Sequence, residues 1–264
     1  MKKNIGFIGM GSMAKAMVQG FLKAGALEPE QIFAYAPSQE KLRQNAAVLG
    51  FSPCVSLADA VTACDICILC CKPQQIESVL RDVSPLLKGK VLLSVAAGWD
   101  YERFSPLLLP DTRFQYIMPN TPAMTGEGVL LFEARHSLAG EERQEIMEMF
   151  GCLGMVRELP SSLMGIGSAV TGCGPAFLYL ITEAFADAAV KYGVPRPLAY
   201  ELVSQMIAGS ARLQLSTGRH PGQLKDEVCS PGGTTILGVD ALEKAGLRAA
   251  CLQAVDAVMK GTRP

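Results

Sequence analysis

A glycine-rich turn near the amino end has the spacing of a phosphate-binding site. Gly9, Gly11 and Ala14 form the pattern G-x-G-x-x-A, between an apolar run typical of a strand and a pattern typical of a helix. In that context Gly9 permits a tight turn, Gly11 lets a pyrophosphate approach the backbone, and Ala14 lets the helix lie close to the sheet. Free N–H groups and the helix dipole then face the anion. The alternative is a glycine-rich turn that binds no ligand. The position of the Gly9–Ala14 turn at the start of a βαβ unit favours dinucleotide binding instead.

The end of the second predicted strand indicates which dinucleotide is bound. NAD binders usually carry an acidic residue about 20 residues past the glycines, where it holds the ribose hydroxyls. Here Tyr35 is followed by Ala36, Pro37 and Ser38, with no carboxylate before Glu40. A 2′-phosphate meets no repulsion there, and Ser38 and the nearby Lys41 could bind it. Ser38 could also be only the N-cap of the next helix. We therefore expect NADPH, with NADH still possible.

Three further segments lie at the carboxyl ends of predicted strands, at the edge where open α/β sheets bind ligands. They are Lys72-Pro73-Gln74, Ala96-Ala97-Gly98 and Met118-Pro119-Asn120-Thr121-Pro122. The first is expected to contact the cofactor through its backbone, although a helix start with Lys72 exposed is the plainer interpretation. Asn120 could hydrogen-bond a nicotinamide or a substrate, or be a turn residue between two prolines.

A second segment suited to an anion lies near the carboxyl end. Ser230-Pro231-Gly232-Gly233-Thr234-Thr235 leads into a predicted helix, so free N–H groups, a positive dipole end and hydroxyl donors come together. A carboxylate substrate held there could face a nicotinamide held by the first part of the chain. An ordinary glycine-rich loop with a threonine cap is the alternative.

Few residues are suited to general acid–base catalysis. The two histidines, His136 and His220, lie in a charged stretch and in a His-Pro-Gly turn, where simple exposure explains both. No lysine or tyrosine stands out as an acid or base. The reaction therefore needs little proton transfer, as in hydride reduction of an imine that is already protonated.

Apolar runs alternate with helical patterns over the first two-thirds of the chain. The predicted strands are Asn4–Ile8, Gln31–Tyr35, Asp65–Cys71, Lys90–Ala97, Thr112–Ile117 and Gly128–Glu133. The predicted helices of this part are Ser12–Ala24, Ser38–Leu49, Pro73–Leu87 and Gly140–Leu153. This alternation predicts an α/β fold with a mostly parallel sheet covered on both faces.

The character of the chain changes near residues 160–162, and beyond them we predict helices alone. They are Ala176–Lys191, Pro197–Gln214, Thr235–Lys244 and Leu247–Lys260. The run Phe177–Ile181 is apolar around a whole helical turn and needs burial on every side. Four helices cannot bury that much surface, so we expect an intertwined dimer. The predicted domains are residues 1–160, which bind the dinucleotide, and residues 161–264, which dimerise and bind the substrate.

Composition excludes several classes of protein. The formal net charge is −1 and no block of like charge occurs, so neither nucleic acid nor anionic lipid is an expected partner. No run approaches the ~18 apolar residues of a membrane span. Cys64, Cys67 and Cys70 have the spacing of metal ligands, but a buried strand points Cys67 and Cys70 to opposite faces. We expect no metal, reduced cysteines and a cytoplasmic protein.

Taken together, these segments resemble the pyrroline-5-carboxylate reductase family. The resemblance also includes Gly172-Cys173-Gly174-Pro175-Ala176 and His220-Pro221-Gly222-Gln223-Leu224-Lys225-Asp226, and Ser230–Thr235 is its most specific part. It implies a Rossmann domain, a helical dimerisation domain and reduction of 1-pyrroline-5-carboxylate to L-proline by NADPH or NADH. It also implies homodimers that can assemble into rings, a decamer among them.

The resemblance assigns roles to particular residues. Ser230 and Thr235 would be catalytic, with the Thr235 hydroxyl on the ring nitrogen. Gly232, Gly233 and Thr234 would bind the substrate; Asn120 is a further substrate-binding candidate from its place after a strand, independent of the resemblance. The implied cofactor-binding residues are Gly9, Met10, Gly11, Ser12, Met13, Ser38, Lys72, Pro73 and Ala97.

Two positions depart from the family pattern, and two other functions stay open. Tyr116 stands where many members have Arg, which removes a charge, and Cys173 stands where many have Ser. A β-hydroxyacid dehydrogenase shares the layout but needs a catalytic lysine, for which Lys191 is the nearest candidate. A non-catalytic NADP sensor would keep the glycine turn but not the Ser230–Thr235 loop.

Overall fold

The computed structural model of the chain describes residues 3–261. In that range eight strands form one sheet, in the order β3-β2-β1-β4-β5-β6-β7-β8. The strands are β1 (Ile5–Ile8), β2 (Ile32–Tyr35), β3 (Ser52–Pro53), β4 (Ile66–Leu69), β5 (Val91–Ser94), β6 (Arg113–Met118), β7 (Gly128–Glu133) and β8 (Gly154–Leu159). Neighbouring strands are parallel, apart from the antiparallel pair β6 and β7. The order of the first six strands is that of the Rossmann fold, which confirms the predicted fold class.

Twelve α-helices accompany these strands within the described residues. They are α1 (Ser12–Lys23), α2 (Gln39–Leu49), α3 (Leu57–Ala63), α4 (Ile76–Val83), α5 (Tyr101–Phe104), α6 (Gly140–Gly151), α7 (Ser161–Thr171), α8 (Gly174–Lys191), α9 (Arg196–Thr217), α10 (Pro221–Val228), α11 (Thr234–Lys244) and α12 (Leu247–Gly261).

The central strands are apolar throughout because helices cover both faces of the sheet. All four residues of β4 are buried. Ile66 and Ile68 pack in a core with α1, α2 and α6, whereas Cys67 and Leu69 pack in a second core with α3, α4 and α7. Cys70 packs against the first core, so Cys67 and Cys70 do point to opposite faces.

The chain divides into two compact units, and the division falls between Cys173 and Gly174. Helix α7 belongs to the first unit because its Met164 is buried in the second core of the sheet. The domain boundary predicted after residue 160 precedes this helix and stays a prediction.

The second unit buries little by itself. Among its described residues, Ala186, Ala199 and Val203 form the buried cluster, while Leu180 and Leu252 are each 69% exposed. The stretch 161–191 is long and apolar enough to cross a membrane by length and composition. It is nevertheless two helices, α7 and α8, and α7 packs on the sheet.

Several elements were not predicted, and some predicted ends differ. The unpredicted elements are β3, β8, α3, α5, α7 and α10. The strand predicted to run to Ala97 ends at Ser94, because a turn begins at Ala96. The helix predicted over residues 73–87 is α4 with a 3₁₀ turn at each end.

Candidate cofactor and substrate sites

The turn between β1 and α1 has the geometry that a phosphate-binding turn requires. Gly9 has φ +99°, and a Cβ there would lie 2.8 Å from the carbonyl carbon of Cys70. A Cβ on Gly11, in contrast, would meet no atom within 4 Å. Ala14 is fully buried against the sheet. The turn therefore needs Gly9 for its own conformation and leaves open space above Gly11.

Helix α1 begins without a side-chain cap. Its N-cap residue is Gly11, which has no side chain to accept from the N–H groups of the first turn. These groups and the positive end of the dipole are what a pyrophosphate would bind.

A cleft of about 530 Å³ opens beside this turn. The predicted cofactor residues that line it are Gly9, Met10, Gly11, Ser38 and Lys72. The other four lie outside its lining: Ser12 is exposed at the start of α1, Met13 packs on the first core, Pro73 begins a 3₁₀ turn and Ala97 is exposed after β5.

The electrostatics of the cleft suit an extra phosphate. Lys41 and Lys72 are exposed and line it, and among the described lining residues none is acidic. Ser38 is the N-cap of α2, yet its side chain makes no capping hydrogen bond. The hydroxyl is therefore available to a ligand, and its contact with a 2′-phosphate stays a prediction.

Sequence reasoning missed four polar or thiol groups of the cleft, Asn45, Cys70, Cys71 and Gln75. Asn45 lies one helical turn beyond Lys41 on α2, so helical spacing could have indicated it. Burial raises the pKa of both thiols, which keeps them neutral at physiological pH. The cysteines therefore add apolar contact rather than charge.

Asn120 is buried and holds three elements together. Its Nδ2 donates to the carbonyl of Thr171 at 3.0 Å, and its Oδ1 accepts from the N–H of Val129 at 2.8 Å. The side chain is therefore a brace, with one N–H left over. Its predicted contact with substrate or nicotinamide stays a prediction.

Tyr116, which stands where the family resemblance expects an arginine, lies in the second core. It is 3% exposed, and its hydroxyl lies 3.6 Å from the Met118 sulfur. Burial raises the pKa of Tyr116 to about 12. The residue is neutral over the whole physiological range, so it brings no charge to the second core.

In the second unit, the loop before α11 is a tight turn followed by an uncapped helix. The N–H of Gly233 donates to the carbonyl of Ser230 at 2.9 Å, and Gly232 has φ +68°. Pro231 followed by a glycine of positive φ is the pattern of a type II turn. The N-cap of α11 is Gly233, without a side-chain cap, and Thr234 and Thr235 are exposed at the helix start. The loop thus offers N–H groups and hydroxyls to an anion.

Both histidines have structural partners. Nδ1 of His220 accepts from the N–H of Gly222 at 3.1 Å and caps α10. Nδ1 of His136 accepts from the N–H of Leu138 at 3.2 Å, and burial lowers the pKa of His136. These contacts explain both residues without a catalytic role.

Comparison with known proteins extends these observations to the whole chain. Residues 4–98 match the family described as NADP oxidoreductase coenzyme F420-dependent, and residues 161–263 match pyrroline-5-carboxylate reductase dimerisation. A pyrroline-5-carboxylate reductase of Treponema pallidum is 40% identical over 98% of this chain and 100% of the relative. The chain belongs to the pyrroline-5-carboxylate reductase family. The resemblance seen in the motifs is thereby confirmed.

Other members of the family agree with this assignment. The Escherichia coli reductase is 36% identical over 98% of this chain and 97% of its own length. The crystal structure of the Plasmodium falciparum reductase with NADP bound superimposes with a TM-score of 0.90 at 30% identity, over 99% of this chain and 97% of that one. A 3-hydroxyisobutyrate dehydrogenase of Mycobacterium tuberculosis, at 15% identity and a TM-score of 0.54 over 89% of this chain and 72% of that one, shows a shared fold alone.

Proposed function

We propose that this chain is an enzyme that reduces 1-pyrroline-5-carboxylate to L-proline with NADPH, the last step of proline biosynthesis. The observation that carries the proposal is the match to named reductases, which spans both compact units. The phosphate turn of the first unit and the anion loop of the second supply the chemistry that this reaction needs.

The residues of the first unit fit a dinucleotide. The open space above Gly11 and the uncapped start of α1 suit a pyrophosphate, and Ser38 with Lys41 suits a 2′-phosphate. When bound, the reduced nicotinamide supplies a hydride. We assign cofactor binding to Gly9, Met10, Gly11, Ser12, Met13, Ser38, Lys72, Pro73 and Ala97.

The loop of the second unit suits the substrate. The N–H groups at the start of α11 would hold the carboxylate, together with Ser230, Gly232, Gly233 and Thr234. The Thr235 hydroxyl would contact the ring nitrogen, which makes Thr235 and Ser230 our candidate catalytic residues. A protonated imine accepts hydride at carbon and the product amine keeps its proton, so the chain need not supply a strong acid. Asn120 has one N–H left for a substrate contact.

The exposed apolar surface of the second unit supports a homodimer. Large side chains such as Leu180, Leu237 and Leu252 are more than two-thirds exposed in the single chain, and the family model there is one of dimerisation. Dimers could assemble further into a decamer, which sedimentation velocity would distinguish from a dimer.

All nine cysteines carry free thiols, which supports a cytoplasmic location.

The experiment follows NADPH absorbance after addition of pyrroline-5-carboxylate and then repeats the assay with NADH. Oxidation of the cofactor with formation of proline is the expected result, faster with NADPH. Cofactor binding without oxidation would instead favour the hydroxyacid dehydrogenase or the NADP sensor.

A further inference from the structure

Strand β5 is flanked by two turns of the same type. At its amino end, the N–H of Lys90 donates to the carbonyl of Leu87 at 2.9 Å, and Gly89 has φ +70°. Lys88 between them has φ −54° and ψ 126°. These angles define a type II turn.

At the carboxyl end of β5 the same arrangement recurs. The N–H of Trp99 donates to the carbonyl of Ala96 at 3.2 Å, and Gly98 has φ +75°. No described non-glycine residue has positive φ, so Ala97 has negative φ and this turn is also type II. A Cβ on either Gly89 or Gly98 would meet no atom within 4 Å. The two glycines therefore differ in location and not in local constraint.

An arginine clamps the glycine carbonyl of each turn. Nη2 of Arg113 donates to the carbonyl of Gly89 at 2.6 Å, and Nη1 of Arg103 donates to the carbonyl of Gly98 at 3.3 Å. The Arg103 guanidinium also stacks 4.0 Å from the ring centroid of Trp99, a contact that suits the flat, weakly hydrated guanidinium. Arg103 thus fixes the last two residues of the Ala96–Trp99 turn.

Two further hydrogen bonds, to Ser94 and Glu133, hold the Ala96–Trp99 turn and the residue just after it. Ser94 Oγ accepts from the N–H of Ala96 at 3.2 Å. The N–H of Tyr101, just after the turn, donates to the buried carboxylate of Glu133 at 2.8 Å. Ala97 and Gly98 remain exposed. The turn is therefore held by several contacts, yet presents a small, open surface.

The two turns differ in which edge of the sheet they occupy. Ligands of open α/β sheets bind at the carboxyl ends of the strands, where the Ala96–Trp99 turn lies. We propose that Arg103 and Gly98 are positioning residues that shape this turn for the nicotinamide end of the cofactor. The inference rests on the proposed function. A surface that is ordered before binding loses less conformational entropy when the ligand arrives.

The test compares two ligands by calorimetry: NADPH, and 2′-phospho-ADP-ribose, which lacks the nicotinamide. Arg103→Met is expected to raise the Kd of NADPH roughly 3- to 10-fold, the effect of one lost hydrogen bond. Gly98→Ala is expected to raise it about 10-fold through strain at positive φ. Neither variant should change the Kd of the fragment. Amide exchange of residues 95–100 in the free protein should be faster in Arg103→Met.

Arg113→Met and Gly89→Ala are the matched controls, because they make the same changes at the other end of β5. They should lower thermal stability at least as much and leave the Kd of NADPH unchanged. An unchanged Kd of NADPH in Arg103→Met, or equal weakening of both ligands, would overturn the proposal. If Gly98→Ala fails to fold, the Kd of NADPH in Arg103→Met decides the test, because that variant shortens an exposed side chain and should still fold. A wild-type protein that does not bind NADPH would count against the proposed function instead.

Discussion

Asn120 donates a 3.0 Å hydrogen bond to the carbonyl of Thr171, a residue 51 positions further along the chain. Thr171 ends helix α7, and Asn120 follows strand β6. Because Asn120 also accepts from Val129 on β7 and is only 5% exposed, one amide joins three elements of the first unit. The segment that carries Pro119 and Thr121 is thereby held at the carboxyl end of β6.

Asn120→Asp is expected to lower the free energy of unfolding at pH 7 by about 2–4 kcal/mol, because a carboxylate oxygen would face the Thr171 carbonyl. Urea denaturation measures this loss. At a pH low enough to protonate the new carboxyl group, that group can donate again, and the difference from wild type should shrink. If Asn120→Asp lowers the free energy of unfolding equally at both pH values, the hydrogen bond to the Thr171 carbonyl does not cause the loss.

Gly11→Val and Gly9→Ala should separate ligand binding from folding. The valine side chain in Gly11→Val would occupy the open space above the turn, so we expect the Kd of NADPH to rise at least about 100-fold, equivalent to roughly 2.7 kcal/mol, with little change in thermal stability. Gly9→Ala should instead destabilise the protein, because its Cβ would lie 2.8 Å from the Cys70 backbone at φ +99°. Tight NADPH binding by Gly11→Val would contradict the phosphate-binding turn.

Thr235→Ala should lower kcat roughly 10- to 100-fold, as expected for the loss of a hydrogen bond to a charged group. The Kd of NADPH should stay within about twofold of wild type, since the turn at Gly9 is untouched. Thr182→Ala is a suitable control, because Thr182 is a half-buried helical threonine whose hydroxyl donates to the Leu178 carbonyl. Equal weakening of NADPH binding in Thr235→Ala would show that the substrate loop is wrongly assigned.

Sequence reasoning predicted the two turns that we propose as anion sites, because each turn depends on a few adjacent residues. Gly9 with Gly11, and Gly232 with Gly233, indicate turns that lead into helices, and the structure contains both. Long-range partners were not predictable in this way: nothing near Asn120 indicates Thr171. Helix α7 was missed because it owes its burial to the sheet rather than to a clear periodicity, and β8 because only its pairing with β7 defines it. The turn at Gly98 was hidden inside an apolar run.

Ser38→Asp should shift the cofactor preference from NADPH towards NADH. A carboxylate at the start of α2 would bind ribose hydroxyls and repel a 2′-phosphate. The ratio of kcat/KM for NADPH to that for NADH should fall roughly 10-fold or more, about 1.4 kcal/mol. Glu40→Gln serves as the control, because Glu40 is exposed and lies outside the cleft lining. An unchanged ratio in Ser38→Asp would place the 2′-phosphate elsewhere.

Glu133 is a buried carboxylate at the junction of three segments. It is fully buried, and it accepts from the Ser161 hydroxyl at 2.5 Å and from the N–H of Tyr101 at 2.8 Å. Burial raises the pKa of Glu133, and these two hydrogen bonds oppose that effect in part. Asp100 raises the pKa further, while Arg135 lowers it.

A raised pKa means that the folded state binds this proton more tightly than the unfolded state. The contribution of protonated Glu133 to the free energy of unfolding is therefore complete below the pKa that Glu133 has in the unfolded chain. It is lost as the pH rises through the pKa of Glu133 in the folded protein. Glu133→Gln cannot ionise, so its free energy of unfolding relative to wild type should be higher at pH 8 than at pH 4. Glu145→Gln should show the opposite sign, because the hydrogen bond from Lys3 lowers the pKa of Glu145. Denaturant titrations at both pH values measure the two differences, and a pH-independent difference for Glu133→Gln would mean that burial does not control this carboxylate.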